Sequence, residues 1–461
     1  MTCCPCLERA GCTRRLSPGP ETAARLVKKH GVDKARRRFL EAGGTAAAAL
    51  SGSALLGGCR DSESMADDQA IYTPSKRLLS FTEIIKRPIV ERQHLPDPIL
   101  IEHIGVYRFG EHVFIRAISK EGAVGIAAAR QDRVENVLAI MRNRVIPPLL
   151  GEDARDIEFL VDKVYLARSN YKWQGLALWV AMAYVEIAVL DLLGQVSGKS
   201  IGDLLGGRVR EQVAIYYASG NRGNSAEEEV EYLQSLVERS GAKAVKYRLG
   251  ARMRYTEAST ARDRALIPAV RKALGDDATI YTDANGSYDV DMAIRIGRML
   301  EAHGVAFFEE PCPFDYYEET RAVADALDIP IAGGEEESSM RGMMWLLDHD
   351  VLQVIQPDLL YFGGLTRSIK VARMAASIGI DCTAHISGGA LGFLYMMQFA
   401  SCVPNIGPFQ EFKGNTDQVP MHSASSSLQP ESGMIDIPTG PGLGVEFDPG
   451  FLRQAREIEK G

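Results

Sequence analysis

The spacing of apolar residues divides the chain into two regimes. Between residues 99 and 129 they alternate or cluster in short runs (ILIEHIGVYRF, HVFIRAIS, EGAVGIAAA), which predicts strands joined by tight turns. Helical spacing follows over 134–149, 157–166 and 177–195; the last, AMAYVEIAVLDLLGQVSG, is apolar on a broad face and ends in glycine. Strands first and helices after predict an α+β unit over 71–205. From Val213 the order changes. Short apolar strands over 213–218, 244–248, 279–283, 305–309, 330–332, 352–355, 381–384 and 405–411 alternate with helical stretches, among them 226–238, 256–273, 289–302, 365–377 and 390–400. This βα alternation predicts an α/β fold over 206–411, a parallel sheet closed as a barrel. An open doubly wound sheet is the competing arrangement. No GxGxxG or P-loop follows any strand, which argues against its nucleotide-binding version. The turn-rich tail, 412–461 with GPGLGVEFDPG, is expected to return to the first unit.

Composition adds two exclusions. With 46% hydrophobic and 24% charged residues the chain is neither disordered nor collagen-like. Its charge is uneven: residues 1–59 carry ten Lys/Arg and four Asp/Glu, whereas 60–461 carry 42 and 56. An acidic body argues against a nucleic-acid partner, because phosphate binding needs a cationic face. An anionic substrate stays open, since a metal ion can reverse the local field. Five of eight cysteines (Cys3, Cys4, Cys6, Cys12, Cys59) fall in the leader; Cys312, Cys382 and Cys402 form neither a disulfide framework nor a zinc spacing. In the leader, Arg36-Arg37 precede Arg38-Phe39-Leu40, an Ala/Gly-rich run and Leu56-Gly57-Gly58-Cys59. That order resembles a bacterial twin-arginine export signal joined to a lipoprotein cleavage box. The competing reading is a basic helix start running into a buried Ala-rich helix. The resemblance implies a periplasmic or membrane-anchored protein with a lipidated Cys59 and a polar tether over 60–70.

The candidate chemistry collects at the ends of the predicted strands. YTDANG ends one strand at Asp283, AFFEEP the next at Glu309, and IAGGEEE the next at Glu335, at intervals of 26 and 26 residues. One βα repeat carries a barrel chain to the neighbouring strand, so these carboxylates converge on the catalytic face. Three like charges repel unless a cation sits among them, and oxygen-only ligands favour Mg²⁺ over zinc. The bland alternative is three solvated helix caps. QPDLL then places Asp358, and TAHISGG places His385, 27 residues later; a carboxylate beside a histidine sets its tautomer and raises its basicity. KAVKYRLG puts Lys246 and Arg248 two apart on one strand, hence on one face, and FQEF places Glu411 at the last strand.

These motifs, with AYVEIAVLDLLGQVSGKSIGDLLGG and PGLGVEFD in the same order, resemble the enolase superfamily, specifically its mandelate racemase subgroup, over about residues 70–455. The resemblance implies an α+β capping domain on a modified TIM barrel, (β/α)₇β, and an even-numbered homo-oligomer. It implies Mg²⁺ held by Asp283, Glu309 and Glu335, and His385 as acid/base oriented by Asp358. It further implies Lys246 on the substrate carboxylate, Glu411 on the enolate oxygen and Asn285 lining the site. The reaction implied is abstraction of the proton beside a carboxylate, with Mg²⁺ stabilising the enolate.

Two departures refine this. Arg248 stands where two-base racemases of the subgroup have a proton-shuttling lysine, and guanidinium is a poor base. One good base suits dehydration of an acid sugar to a 2-keto-3-deoxy acid; a racemase, epimerase or cycloisomerase, and a non-catalytic exported binding protein, are the alternatives. The family's specificity loop is also missing: the first two cap strands meet at Phe109-Gly110-Glu111-His112, and 86–98 (KRPIVERQHLPDP) is expected to take its place.

Overall fold

The computed structural model describes residues 73–387, 389–413 and 419–458. The export signal, Cys59 and the tether lie outside the described residues. Among the described residues, helices of nine or more residues are α1 to α10 in chain order. The cap opens with α1 (Lys76–Ile84) and an antiparallel meander of β1 (Ile101–Phe109), β2 (His112–Ser119) and β3 (Val124–Arg130), followed by α2 (Ile157–Leu166) and α3 (Leu176–Ser197). β1 and β2 form a hairpin with Phe109 opposite His112, and Gly110 takes a left-handed φ of 57° in the turn between them. Alternation in β2 sends Val113, Ile115 and Ala117 to one face. Gly125 of β3 lets α3 approach closely: a Cβ there would lie 2.1 Å from the Leu192 nitrogen and 2.2 Å from the Ala188 oxygen.

The stretch predicted as one helix over 134–149 is instead a chain of short turns, including a π-turn at Met141–Val145 and a 3₁₀ turn at Pro147–Leu149. The buried residues explain this. Val137, Met141, Val145 and Leu149 recur every fourth position, and an α-helix of 3.6 residues per turn would rotate that row off the core. Widening one turn to a π-turn keeps it facing α3.

The barrel follows the predicted order: β4 (Gln212–Ala218), β5 (Ala244–Arg248), β6 (Thr279–Asp283), β7 (Phe307–Glu309), β8 (Ile331–Gly333), β9 (Val354–Ile355), β10 (Asp381–Cys382) and β11 (Gln410–Phe412). Between them run α4 (Ala226–Ser240), α5 (Glu257–Leu274), α6 (Val290–Ala302), α7 (Tyr317–Ala326), α8 (Met340–Asp348), α9 (Leu365–Ala376) and α10 (Gly389–Cys402). The parallel ladder runs from β10 through β4, and β11 returns beside β4, giving a strongly curled sheet of eight parallel strands. Register matters more than the exact boundaries. Arg248 of β5 pairs with Asp283 of β6, which pairs with Glu309 of β7, so three charged ends stand side by side. Beneath them the interior is aromatic: Tyr281 stacks on Phe307 at 4.0 Å between centroids and meets Tyr216 edge-on.

The tail pairs with both the cap and the barrel. Met434–Asp436 pairs antiparallel with β4, Arg456–Glu457 pairs with β1, and Phe447 and Phe451 meet Phe114 edge-on. α3 is long and apolar enough to span a membrane by length and composition, but it is 89% buried as the core of the cap. Its two carboxylates join the parts. Glu186 accepts hydrogen bonds from the Leu365 and Thr366 nitrogens, capping the otherwise open N-terminus of α9. Asp191 accepts from Ile126 of β3 and Leu443 of the tail.

Burial pushes Glu186 up to about 7 and Asp191 to about 6, against the hydrogen bonds that favour their ionised forms. A folded-state pKa above the unfolded one gives stability that is complete below about pH 4.5 and lost as the pH climbs through about 7. Glu186→Ala is therefore expected to lower stability by about 1–3 kcal/mol at pH 5, through loss of the α9 cap. Glu186→Gln, which keeps an acceptor oxygen without a charge, is expected to flatten the fall in thermal midpoint between pH 5 and pH 8. Thermal unfolding of the three proteins across that range checks both; an unchanged pH slope in the Gln variant refutes the assignment.

Candidate active site

The strand register brings every sequence-predicted site residue of the described chain to one end of the barrel. Asp283 and Glu309 end β6 and β7, and Glu335 follows β8; one oxygen of each lies within 4.8 Å of the others. All three are buried. Asp283 is held by Asn285, whose backbone nitrogen donates to Oδ1 at 2.7 Å and whose side-chain amide donates to Oδ2 at 3.2 Å. The left-handed φ of 41° at Asn285 turns the chain so that both bonds form. Arg248 is ion-paired with Asp283, and its Nε donates to the Ser219 carbonyl at 3.1 Å.

One layer below, Lys246 is fully buried between carboxylates, with Nζ 2.8–2.9 Å from both oxygens of Glu309 and 3.1 Å from Oε1 of Glu411. Burial works against its proton, but Glu309 and Glu411 outweigh that and hold Lys246 above the ordinary lysine value. The same pairing works on the acids. Burial raises Glu309 and Glu411, while Lys246 reverses the sign for both, helped by Arg248 at Glu309 and Lys413 at Glu411. Glu411 is thus an ionised acceptor in this arrangement, taking a hydrogen bond from the Ile386 nitrogen at 3.2 Å.

On the opposite side Asp358 and His385 adjoin as neighbours in a parallel bridge. His385 Nδ1 lies 2.7 Å from Asp358 Oδ2; the other oxygen, Oδ1, accepts from the Leu360 and Tyr361 nitrogens at 2.8 Å and from Ser387 at 2.9 Å. A carboxylate so fully bonded accepts from Nδ1–H, which leaves Nε2 with its lone pair. Burial lowers the imidazole's proton affinity, but Glu335 and Glu411, with the Asp358 bond, carry it above the ordinary histidine value despite Lys413.

These groups face a cavity of about 660 Å³, lined by Arg248, Asn285, Glu310, Glu335, His385 and Lys413 among others, a size suited to a small molecule. Several residues in or beside this cavity carry no signal in the spacing of the strands. Gln356 donates to Glu309 at 3.0 Å. Glu310, at a left-handed φ of 44°, and Glu336 form a second acidic group with Glu335. Burial first, then Glu335 and Glu336, raises Glu310 well above the carboxylate range; burial also pushes Glu336 up to about 8. Lys413 was within reach of the sequence, standing two residues after Glu411 and so on its side of the strand. Asp132 and Arg133, from the cap just after β3, carried no such signal.

The segment 86–98 does not take the place of the missing loop. Ile89, Val90 and Leu95 are buried, and the Ile89 and Val90 nitrogens donate to Glu158 of α2, which fastens the segment to the cap. Lys86, Pro88, Val90 and Arg92 line a different cavity of about 920 Å³, together with Trp179 and Arg367. His94, His103 and His112 stay at the cap surface or in its packing; His103 meets Glu457 and His112 meets Phe451. Burial pushes the Cys312 thiol up to about 12, which leaves it inert.

The donor set fits a hard divalent cation. It is all oxygen and buried, and Oε2 of Glu335 accepts no hydrogen bond although His385 Nε2 is 3.1 Å away. A parallel barrel with such an acidic group and an Asp–His pair at the C-terminal ends of its strands defines a class of barrel enzymes. Residues 89–206 match the mandelate racemase/muconate lactonizing enzyme N-terminal domain, and residues 228–451 match the enolase C-terminal domain-like family. The arabinonate dehydratase of Saccharolobus solfataricus is 28% identical over 72% of this chain and 85% of its own length. The D-galactarolactone cycloisomerase of Agrobacterium fabrum is 30% identical over 67% and 82%. A mandelate racemase/muconate lactonizing protein of Paracoccus denitrificans, solved in complex with magnesium, superposes with a TM-score of 0.71 at 28% identity, over 79% of this chain and all of that one. The chain belongs to the enolase superfamily, within its mandelate racemase/muconate lactonizing enzyme family.

Mg²⁺ or Mn²⁺ is expected to raise the thermal midpoint; at a hundred times its dissociation constant a cation adds about 2.7 kcal/mol. Glu335→Gln is expected to abolish the response while leaving the cation-free midpoint equal or higher, because it removes one repelling charge. A midpoint indifferent to both ions in the unaltered protein counts against a metal site.

Proposed function

We propose that the protein is a divalent-cation-dependent dehydratase of acid sugars, removing the proton next to a carboxylate and the neighbouring hydroxyl to give a 2-keto-3-deoxy acid. One observation carries this reading: a single imidazole nitrogen, His385 Nε2, opens on the cavity beside the acidic group, while the opposite side offers a guanidinium and a fully buried, doubly paired lysine. A racemase needs a base on each face of the reacting carbon; an elimination needs one.

Asp283, Glu309 and Glu335 would hold the cation. When bound, it supplies a positive charge for the carboxylate oxygens as the enolate develops. The chain's own residues do the rest. Asp358 fixes the imidazole with Nε2 forward, and Nε2 takes the proton. Lys246 and Arg248 add positive charge on the far side, and the aromatic floor of Tyr216, Tyr281 and Phe307 keeps the field strong by excluding water. Names of similar proteins support the substrate class: one is an arabinonate dehydratase and one acts on a galactarolactone. The cycloisomerase likeness keeps a cycloisomerisation of a carboxylate substrate as the second reading, with the same base.

Proton NMR in D₂O, with Mg²⁺ and pools of aldonates, aldarates and uronates, is expected to show loss of the C2 proton signal with appearance of a keto-deoxy product. His385→Asn should cost about 10²–10⁴-fold in rate. Deuterium at C2 with only an epimer or a cycloisomer formed overturns the dehydratase reading.

The leader extends the proposal to location: export by the twin-arginine route and lipid attachment at Cys59. Incorporation of radiolabelled palmitate in a bacterial host, lost on Cys59→Ala, is the expected result; a protein that keeps its leader and stays in the cytoplasm refutes it.

A further inference from the structure

Lys413 has no part in the reading so far, yet its ammonium sits on the reacting face of the site. Nζ lies 3.1 Å from His385 Nε2, 3.1 Å from Glu411 Oε2 and 2.5 Å from the Ile386 carbonyl oxygen. It lines the same cavity, and 29% of its side chain is exposed, against 8% for His385. An ammonium has three protons and no lone pair, so these three acceptors use all of them. One of the three is the imidazole lone pair that the proposed reaction needs.

That arrangement has a chemical consequence. When Nε2 takes a proton it stops accepting, and one N–H of Lys413 is released toward the cavity. A β-hydroxyl is a poor leaving group and must depart protonated. Nε2 carries one site and cannot receive a proton and deliver another at the same moment.

We propose that Lys413 is the general acid of the elimination, a role that rests on the dehydratase reading above. The C2–H bond breaks, its proton goes to His385 Nε2, and its electron pair forms the C2–C3 double bond. The C3–O bond breaks with its pair on oxygen, which takes a proton from Lys413 Nζ and leaves as water. Imidazolium and free amine then stand 3.1 Å apart, and one transfer from Nε2 to Nζ restores both. The enol product gains a proton at C3 from solvent and loses its C2 hydroxyl proton to become the ketone. Both groups act from one face, so the elimination is syn.

A better leaving group separates the two roles, because fluoride departs without a proton. The test takes the aldonate that the unaltered protein turns over from a panel of arabinonate, xylonate, gluconate and galactonate, and its 3-deoxy-3-fluoro analogue. Water loss is followed by NMR and fluoride release by electrode. Lys413→Met is expected to lower water loss by about 10²–10⁴-fold and fluoride release by less than tenfold. Its exchange of the C2 proton in D₂O should outrun product formation. Lys413→Arg, which keeps the charge but cannot act as an acid at neutral pH, should bind the aldonate with a similar KM and share the loss in kcat. His385→Asn should lose both reactions. Thermal midpoints and their response to Mg²⁺ show that the variants are folded and loaded.

Equal losses of water and fluoride in Lys413→Met make Lys413 a positioning residue and overturn the proposal. So does restored dehydration in Lys413→Arg, which would make the role one of charge alone, and so does full activity in either variant. Absence of C2 exchange by the unaltered protein across the whole panel instead removes the dehydratase reading, and this proposal with it.

Discussion

Repulsion among buried carboxylates is the constraint around which this protein is arranged. Asp283, Glu309, Glu310, Glu335, Asp358 and Glu411 are buried at one end of a barrel, with Glu336 half-buried beside them. So many negative charges in a poorly polarisable interior would hold the strand ends apart. Each is managed by a different device. Lys246 neutralises Glu309 and Glu411, Arg248 neutralises Asp283, and backbone nitrogens saturate one oxygen of Asp358. Glu310 and Glu336 are held toward their neutral forms, and Glu335 keeps an oxygen without a hydrogen bond. The charge left over at Asp283, Glu309 and Glu335 is what suits this end of the barrel to a divalent cation.

The same distribution makes the two faces of the site unequal. One face ends in guanidinium and a lysine clamped between acids, both firmly charged. The other ends in an imidazole whose tautomer is imposed from behind and whose free nitrogen meets an ammonium. Charge stabilisation and proton traffic are thus segregated, and the direction of the chemistry is written into which strand carries which residue.

Much of this is legible in the sequence. The βα alternation gave the barrel and its strand order, because burial on both faces leaves short apolar runs at regular intervals. The 26-residue intervals between Asp283, Glu309 and Glu335 reflected the length of one repeat. What escaped depends on geometry that spacing does not encode. Glu310 turns inward through left-handed backbone, so the strand's alternation assigns it wrongly. Gln356 and Arg222 reach the site from other strands and loops and resemble ordinary polar residues; Arg222 bonds Asn285. The π-turn at Met141–Val145 escaped because a four-residue apolar rhythm reads as helix until the drift of a straight helix is followed over three turns.

The carboxylates of α3 set the order in which the molecule can be assembled. Glu186 is bonded to residues 179 and 180 positions later, and Asp191 to a residue 252 positions later. A chain made from its N-terminus therefore produces its most apolar helix, 22 residues long, well before α9 and the tail that cover it exist. Contacts of such sequence separation form late and slowly, and until they do the helix is a sticky surface. A chain cut short of the tail would not be a smaller folded protein but one with an open apolar flank, a natural handle for chaperones and proteases.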